Sequence, residues 1–504
     1  MRSSISRNAF TMAWATILSR VLGFARDIIL AFALGASPLA DAFFVAFRVP
    51  NILRRLFAEG SLTMAFVPVF SRILERNGPQ AAFSLTRSVQ LWLLIILVAM
   101  TVLVLYWANP VAWALAPGFA ADADLMAQTV TLLRICFPYI IFISSVALCM
   151  GTLNGLGHFL APALSPCILN LALIAAALAA LATGGNVALY LSWGVLAGGL
   201  GQWLLQQPWL QKAGFRWLGP ASPLGPEVAK VGRMVLPTVF GSAIYQINIV
   251  ATTILASMLA EGSISILYYA DRIVQLPLGV FGVSLATAAL PAISSLIAQN
   301  RGAEAEGAIR DTFAMLMFVS LPAMAGLMAL AGPIVSLLFG RGAFGAEDTR
   351  LTALALQAYA IGLPAFCGVR TLVSAFYSFE DTKTPVLAGT VSVACNIVLG
   401  IGLMRIWGVM GLALATTLAS WVNMTWLGWR LRRMARWDQG LMARLAPMMV
   451  ISAAMGLSAW ATTGSGKWSV ALVPIWAILY FGACLAWKIP EGRAVAKLMV
   501  RGQK

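Results

Sequence analysis

Apolar runs of about 20 residues, the length that crosses a bilayer as a helix, follow one another along nearly the whole chain. Polar or Gly/Pro-containing breaks divide them into about fourteen spans. These lie near 10–36, 39–71, 84–108, 126–153, 160–183, 187–207, 232–259, 263–298, 312–338, 352–378, 384–404, 407–430, 441–462 and 468–488. The runs are continuous and do not alternate over ~10-residue segments, which argues against a β-barrel. The longest polar connection, Gln211 to Arg233, holds Gly214, Pro220, Pro223 and Pro226 and reads as a link between two lobes.

An internal repeat runs under this pattern. Ser61, Leu62, Ala65 and Pro68 recur as Ser284, Leu285, Ala288 and Pro291, an offset of 223 that also relates Ser19 to Ser242 and Pro162 to Pro385. Six spans separate the copies, so both copies share one orientation in the membrane, as in two-lobed transporters built from parallel repeats. The expected fold class is therefore an all-α polytopic membrane protein, with about 14 transmembrane helices in two pseudo-symmetric lobes around a central cavity. Residues 1–210 form the first lobe, 211–233 the linker and 234–434 the second lobe. Residues 435–504 add two further spans and a tail.

Composition narrows the class. Of 504 residues 60% are hydrophobic and 10% charged, against about 25% charged in soluble proteins. A soluble enzyme, a disordered chain and a disulfide scaffold are excluded. The net charge is +16. In a membrane protein such an excess marks cytoplasmic loops and not a nucleic-acid partner. With the N-terminus inside, 21 Lys and Arg fall on cytoplasmic loops, termini and flanks, and only Arg341, Arg350, Arg405 and Lys467 fall opposite. That bias places both termini in the cytoplasm. Arg20, Arg26 and Asp27 interrupt the first apolar run, so it reads as a retained helix and not as a cleaved signal. The six cysteines are scattered through apolar segments as small core residues, and His158 is the single histidine. No metal centre, P-loop or nucleophile–base pair is expected, hence no enzyme and no cofactor.

Nine basic residues fall inside spans: Arg20, Arg26, Arg48, Arg54, Arg55, Arg87, Arg134, Arg272 and Arg370. All are arginine, although the chain has seven lysines. One at mid-bilayer costs about 2.5–3.5 kcal/mol on insertion scales, so several together need water, counter-charges or a ligand. Arg87, at a helix start, is read as snorkelling to the surface, with Arg134 and Arg370 doing likewise or packing on other spans. Gly23 between Arg20 and Arg26 suggests a bend in span one. In span two Asp41, Arg48 and Arg55 recur every seven residues with Glu59 at i+4, one stripe of an ideal helix. Pro50 interrupts that helix, and periodicity does not settle whether Arg54 or Arg55 faces a cavity.

Intramembrane acids are few: Asp27, Asp41, Glu59 and Asp271. Packing pairs account for Arg26–Asp27 and Arg55–Glu59. They leave Arg20, Arg54 and Arg272 without obvious partners, since Asp271 points to another helix face. The excess favours an anion site. Arginine suits phosphate, because its fork makes two parallel charge-assisted bonds and stays charged at any accessible pH.

At these residues the chain resembles the MurJ-type (MviN) lipid II flippases of the multidrug/oligosaccharidyl-lipid/polysaccharide exporter superfamily. The matching stretches are SRVLGFARD at 19–27, DAFFVAFRVPNILRRLFAEGSLTMAFVPVF at 41–70 and YYADRIVQLP at 268–277. The resemblance implies fourteen helices in two lobes around a V-shaped cavity. It implies outward movement of the undecaprenyl-diphosphate-linked peptidoglycan precursor across the bacterial cytoplasmic (inner) membrane. It assigns Arg20, Arg26, Arg54 and Arg272 to substrate binding and Asp41 to a functional acid; the choice of Arg54 over Arg55 comes from this likeness alone. Some members are described with a sodium site. Asn248 and Asn396 lie in suitable spans here, with no matching carboxylate.

The expected mechanism is alternating access, with Asp41 closing an outer gate by pairing with an arginine and Asp27, Arg55, Glu59 and Asp271 in ion pairs. No covalent chemistry is needed. The membrane potential or a coupled cation supplies the drive. Membrane lipids, and other cell-wall synthesis proteins, are the expected partners beyond the lipid II cargo. Rival readings are a polysaccharide-repeat lipid flippase, a cation-coupled multidrug exporter of the same superfamily, and a non-transporting membrane scaffold.

Overall fold

The computed structural model describes residues 2–55 and 62–501, and every regular element within them is helical. The α-helices are α1 (Arg2–Leu34), α2 (Pro38–Leu53), α3 (Thr63–Tyr106), α4 (Ala108–Leu115), α5 (Ala123–Cys136), α6 (Tyr139–Gly155), α7 (Leu160–Thr183), α8 (Val187–Lys212) and α9 (Pro226–Ser257). They continue with α10 (Ser263–Pro277), α11 (Val283–Ala298), α12 (Gly302–Ala329), α13 (Ala331–Leu338), α14 (Ala346–Ser378), α15 (Lys383–Leu431), α16 (Leu441–Ala461), α17 (Val473–Ala486) and α18 (Pro490–Arg501). A π turn, Leu278–Gly282, joins α10 to α11.

Among the described residues nine stretches are long and apolar enough to cross a membrane. Two helices are too long for one crossing: α3 has 44 residues and α15 has 49, against roughly 20 for a span. Each breaks at a glycine in the left-handed region, Gly78 (φ +80°) and Gly408 (φ +53°), a conformation costly for any residue with a Cβ. Large apolar side chains such as Trp113, Val398, Leu457 and Ile478 stand exposed on the surface. A water-soluble protein rarely tolerates so much; lipid covers them in a multi-pass membrane protein.

The chain forms two compact units, Met1–Ser265 and Ile266–Lys504. In the first, glycines of α8 let it pack closely on both α7 and α6. A Cβ at Gly194 would stand 2.7 Å from that of Ala176, and one at Gly199 would stand 2.6 Å from the Tyr139 ring. A second core forms where Phe66, Phe70 and Phe83 of α3 meet Leu148 and Leu153 of α6. In the second unit, Phe313 and Met317 of α12, Phe376 of α14, Met448 of α16 and Tyr480 of α17 share one apolar core with Trp437.

The repeat is legible in the element boundaries. α4 and α13 are both eight residues long and begin 223 residues apart, at Ala108 and Ala331. The stretch Ala123–Gly155 matches Ala346–Ser378 at both ends with the same offset. α7 and α15 begin at Leu160 and Lys383, again 223 apart.

Two expectations change. α1 runs unbroken through Gly23, with no bend there; the glycine instead leaves room for the Asn170 side chain, 3.5 Å from where a Cβ would be. Arg87 does not snorkel. It is 8% exposed and donates to the carbonyls of Pro220 and Arg216. Chain connectivity hid this partner, because the acceptors are peptide groups some 130 residues away. Arg134 and Arg370 are exposed.

Candidate functional site

α1 carries Arg20 and Arg26. The Arg26 guanidinium is buried and donates through Nε and Nη2 to Asp27 Oδ1, at 3.0 and 2.7 Å. Its Nη1 donates to Asn170 Oδ1 of α7 at 3.0 Å, and Asn170 Nδ2 donates back to the Ser19 carbonyl at 3.1 Å. The charge is thus neutralised and its direction fixed by a neighbouring helix. Asn170 is a residue that sequence reasoning missed; a lone polar amide in an apolar run was the available signal. Arg20, by contrast, is exposed, and no hydrogen bond or ion pair to it occurs among the described residues.

α2 opens with Ser37 as its N-cap, whose hydroxyl accepts from the Ala40 amide at 3.2 Å. The buried Asp41 carboxylate follows. Its Oδ1 accepts from the Ser265 amide of α10 at 2.7 Å and from the Ser265 hydroxyl. The expected arginine is therefore replaced by a serine in the first turn of another helix, where a carboxylate offsets the exposed amides and the dipole. The chain presses together around this contact. A Cβ on Gly262 (φ +82°) would lie 2.2 Å from the Ala36 carbonyl oxygen, and one on Gly118 would lie 1.9 Å from that of Ser257. One heptad on, Arg48 donates to the Thr253 hydroxyl of α9. The stripe read from the sequence is real as far as Arg48, and within the first unit it fastens α2 to Thr253 and Ser265.

Past Pro50 the helix widens, and Arg54 and Arg55 sit half-buried in π-helical backbone. Proline lacks the amide that would continue the ladder, and π turns collect at functional sites. Arg54 Nε donates to Asn51 Oδ1 at 3.0 Å. Glu59 lies outside the described residues, so its expected pair with Arg55 is not placed. Ser61 of the repeat lies outside them as well.

Arg272 belongs to the second unit. Its Nη2 donates to the Tyr268 hydroxyl at 3.0 Å, and its guanidinium lies 4.8 Å from that ring's centroid. Tyr268 stands one turn back on α10, so stacking and hydrogen bond fix the same fork. Asp271 accepts from Gln275 Nε2 on its own helix. Near the sequence-singled Asn396, the Thr416 hydroxyl donates to Asn396 Oδ1 at 3.2 Å. Among the described residues no group of three or more His, Cys, Asp or Glu side chains is placed to hold a metal ion.

Comparison with known proteins sets this arrangement in a family. The family profile described as "Lipid II flippase MurJ" matches residues 30–479. "Probable lipid II flippase MurJ" of Rhizobium tropici is 38% identical over 461 residues, covering 90% of this chain and 86% of the relative. Its counterpart in Vibrio cholerae is 36% identical over 422 residues, covering 82% and 80%. Among solved structures, "Lipid II flippase MurJ, inward closed conformation" superposes with a TM-score of 0.82 at 26% identity, covering 95% of this chain and 98% of that one. An inward-facing multidrug resistance MATE transporter of the MOP superfamily shares the fold, with a TM-score of 0.69 at 15% identity over 82% of this chain and 95% of that one. A transporter and not an enzyme, the chain belongs to the lipid II flippase MurJ family.

Proposed function

We propose that this flippase carries lipid II outward by alternating access. Fourteen spans form two pseudo-symmetric lobes, residues 1–210 and 234–434, around a central cavity, with both termini on the cytoplasmic side of the bacterial inner membrane. Arg20, Arg54 and Arg272 engage the diphosphate, and Arg26 joins them by exchanging Asn170 for a phosphate oxygen. The polyprenyl tail stays in lipid. The observation that carries this reading is Arg20. It is an exposed guanidinium on α1 with no partner among the described residues, six positions before Arg26, which is held by Asp27 and Asn170.

The Asp41–Ser265 latch acts as the outer closure in the inward-facing state. Ser265 is the last residue of the first unit, and its bonds to Asp41 are reversible, so opening exchanges them for water without leaving a bare buried charge. An inside-negative potential favours export of an anionic headgroup by about 2.3 kcal/mol per charge for each 100 mV.

The test is fluorescent lipid II translocation in proteoliposomes holding Arg20→Lys or Arg54→Lys protein. A lysine keeps the charge and loses the bidentate fork. More than tenfold slower translocation at unchanged expression and melting supports diphosphate binding. Unchanged rates for both variants overturn it.

A further inference from the structure

The connection between α8 and α9, which as a sequence looks like a loose tether, is fastened down along its length to α3. Arg87 Nε donates to the Pro220 carbonyl at 2.7 Å and its Nη1 to the Arg216 carbonyl at 2.9 Å. The neighbouring Ser88 hydroxyl accepts from the Ser222 amide at 2.8 Å, and Trp92 Nε1 donates to the Pro223 carbonyl at 2.9 Å. Beneath these bonds Phe215 is 1% exposed and meets Phe83 of α3 edge-on, with ring centroids 5.4 Å apart. Gly219 lies close against the clamp, since a Cβ there would stand 3.0 Å from the Arg87 guanidinium.

The repeat supplies a second, independent copy. Adding 223 to Arg87 gives Arg310, and adding it to Arg216 gives Gln439. Arg310 Nη1 of α12 donates to the Gln439 carbonyl at 3.3 Å. Donor and acceptor thus keep both their positions and their atoms in the other half, although the acceptor side chains differ. A contact with a backbone carbonyl needs no particular residue at the acceptor, only an arginine at the donor. The second copy is reinforced by different means: Glu306 Oε1 accepts from the Arg436 amide at 2.8 Å, and Phe313 packs on Trp437 with centroids 5.2 Å apart.

We propose that Arg87 and Arg310 are paired positioning residues. Each clamps the connection that leaves its six-span half to that same half, and the clamps stay closed throughout transport. The starts of α9 and α16 are then fixed points. The segment 213–225 moves with the Met1–Ser265 unit and is no hinge. The proposal rests on the lipid II flippase reading and goes beyond it.

The experiment uses the full chain with Ser88→Cys and Ser222→Cys, purified and placed in proteoliposomes with fluorescent lipid II. The Ser222 amide lies 2.8 Å from the Ser88 hydroxyl, which makes the two positions close neighbours; peptide mapping of the oxidised protein counts the fraction joined. The native cysteines are free and either buried or half-buried. The expected result is a translocation rate within twofold between oxidised and reduced protein. Arg87→Gln in the same background should translocate at least fivefold slower when reduced and recover on oxidation, which a mere loss of folding does not do. Oxidised protein that stops translocating while the reduced form works would overturn the proposal. So would Arg87→Gln that folds and keeps its full rate. Failure of the reduced Arg87-containing protein to translocate lipid II would instead overturn the flippase reading beneath it.

Discussion

Asn170 shows how much one neutral side chain can organise in a bilayer interior. It accepts from Arg26 and donates to the Ser19 carbonyl, so it joins α7 to α1 at the charged point of that helix. Asn170→Leu removes both bonds and the amide that joins the two helices. Buried groups left unsatisfied cost about 1–3 kcal/mol each. The expected outcome is a clear fall in the melting temperature of detergent-purified protein, larger than that of Asn170→Ser. The Asp41–Ser265 contact makes a second prediction at this scale. Ser265→Ala deletes the hydroxyl bond and keeps the amide bond, so it should cost about 0.5–1.5 kcal/mol by thermal unfolding. Asp41→Ala should cost more, because it strips both donors. A cycle combining the two variants should give less than the sum. The positions of the intramembrane arginines were legible in the sequence, since charge there is costly and rare. Their partners were not. Asp27 is adjacent in sequence and was found, but Asn170 and Ser265 lie 144 and 224 residues away from what they bind.

Helices were the easiest elements to read, because a membrane leaves the backbone no other economical way to satisfy its polar groups. Span two was harder. Its heptad stripe assumes an ideal helix, and the structure keeps that geometry only as far as Leu53 before the π-helical residues Arg54 and Arg55. Gly23 misled for a related reason: a glycine marks either a bend or a close neighbour, and only the packed structure tells which. Where the neighbour is close, substitution is informative. Gly199→Val should destabilise the α6–α8 contact by about 1–3 kcal/mol, since its Cβ meets the Tyr139 ring at 2.6 Å; a melting curve that matches the parent protein would contradict this packing. The tail helix α18 titrates. Glu491 is 4% exposed, and burial holds its carboxyl above the ordinary glutamate range, with Arg444 nearby opposing the shift and Asp311 adding to it. A raised value in the folded state means the folded form binds its proton more tightly. This group's contribution is therefore fully present below about pH 4.3, the ordinary glutamate value, and is lost as pH rises through the raised one. Amide exchange of α18 should quicken from pH 5 to pH 8 beyond the intrinsic rate, and Glu491→Gln should remove that extra step.

At the scale of the molecule, duplication is the feature that the sequence carried most faintly and the structure carries most plainly. A few small residues in one register suggested it. Two eight-residue helices, the stretches matched at both ends and the two arginine clamps all repeat the same offset. Side-chain identity has drifted where lipid or backbone is the partner, because those contacts ask little of the residue. Several element boundaries have kept the register even where a helix is split in one copy and continuous in the other, as α5 and α6 are against α14. A whole-molecule prediction concerns energy. If the cargo's charge crosses the field, collapsing an inside-negative potential of about 100 mV removes about 2.3 kcal/mol per charge from the outward step. Net outward translocation of lipid II in vesicles should then fall several-fold on adding a potassium ionophore without a gradient, and an unchanged rate would show that the field does not act on this carrier.

The bond between Arg26 and Asn170 also has a history in time. The two residues are 144 positions apart, and a ribosome adds roughly 5–20 residues per second. For something on the order of 10 s, α1 is made while Asn170, the α7 acceptor of its arginine, does not yet exist. The nascent first helix is therefore a client that must be sheltered, and the arrival of α7 is the moment at which it can be released into lipid.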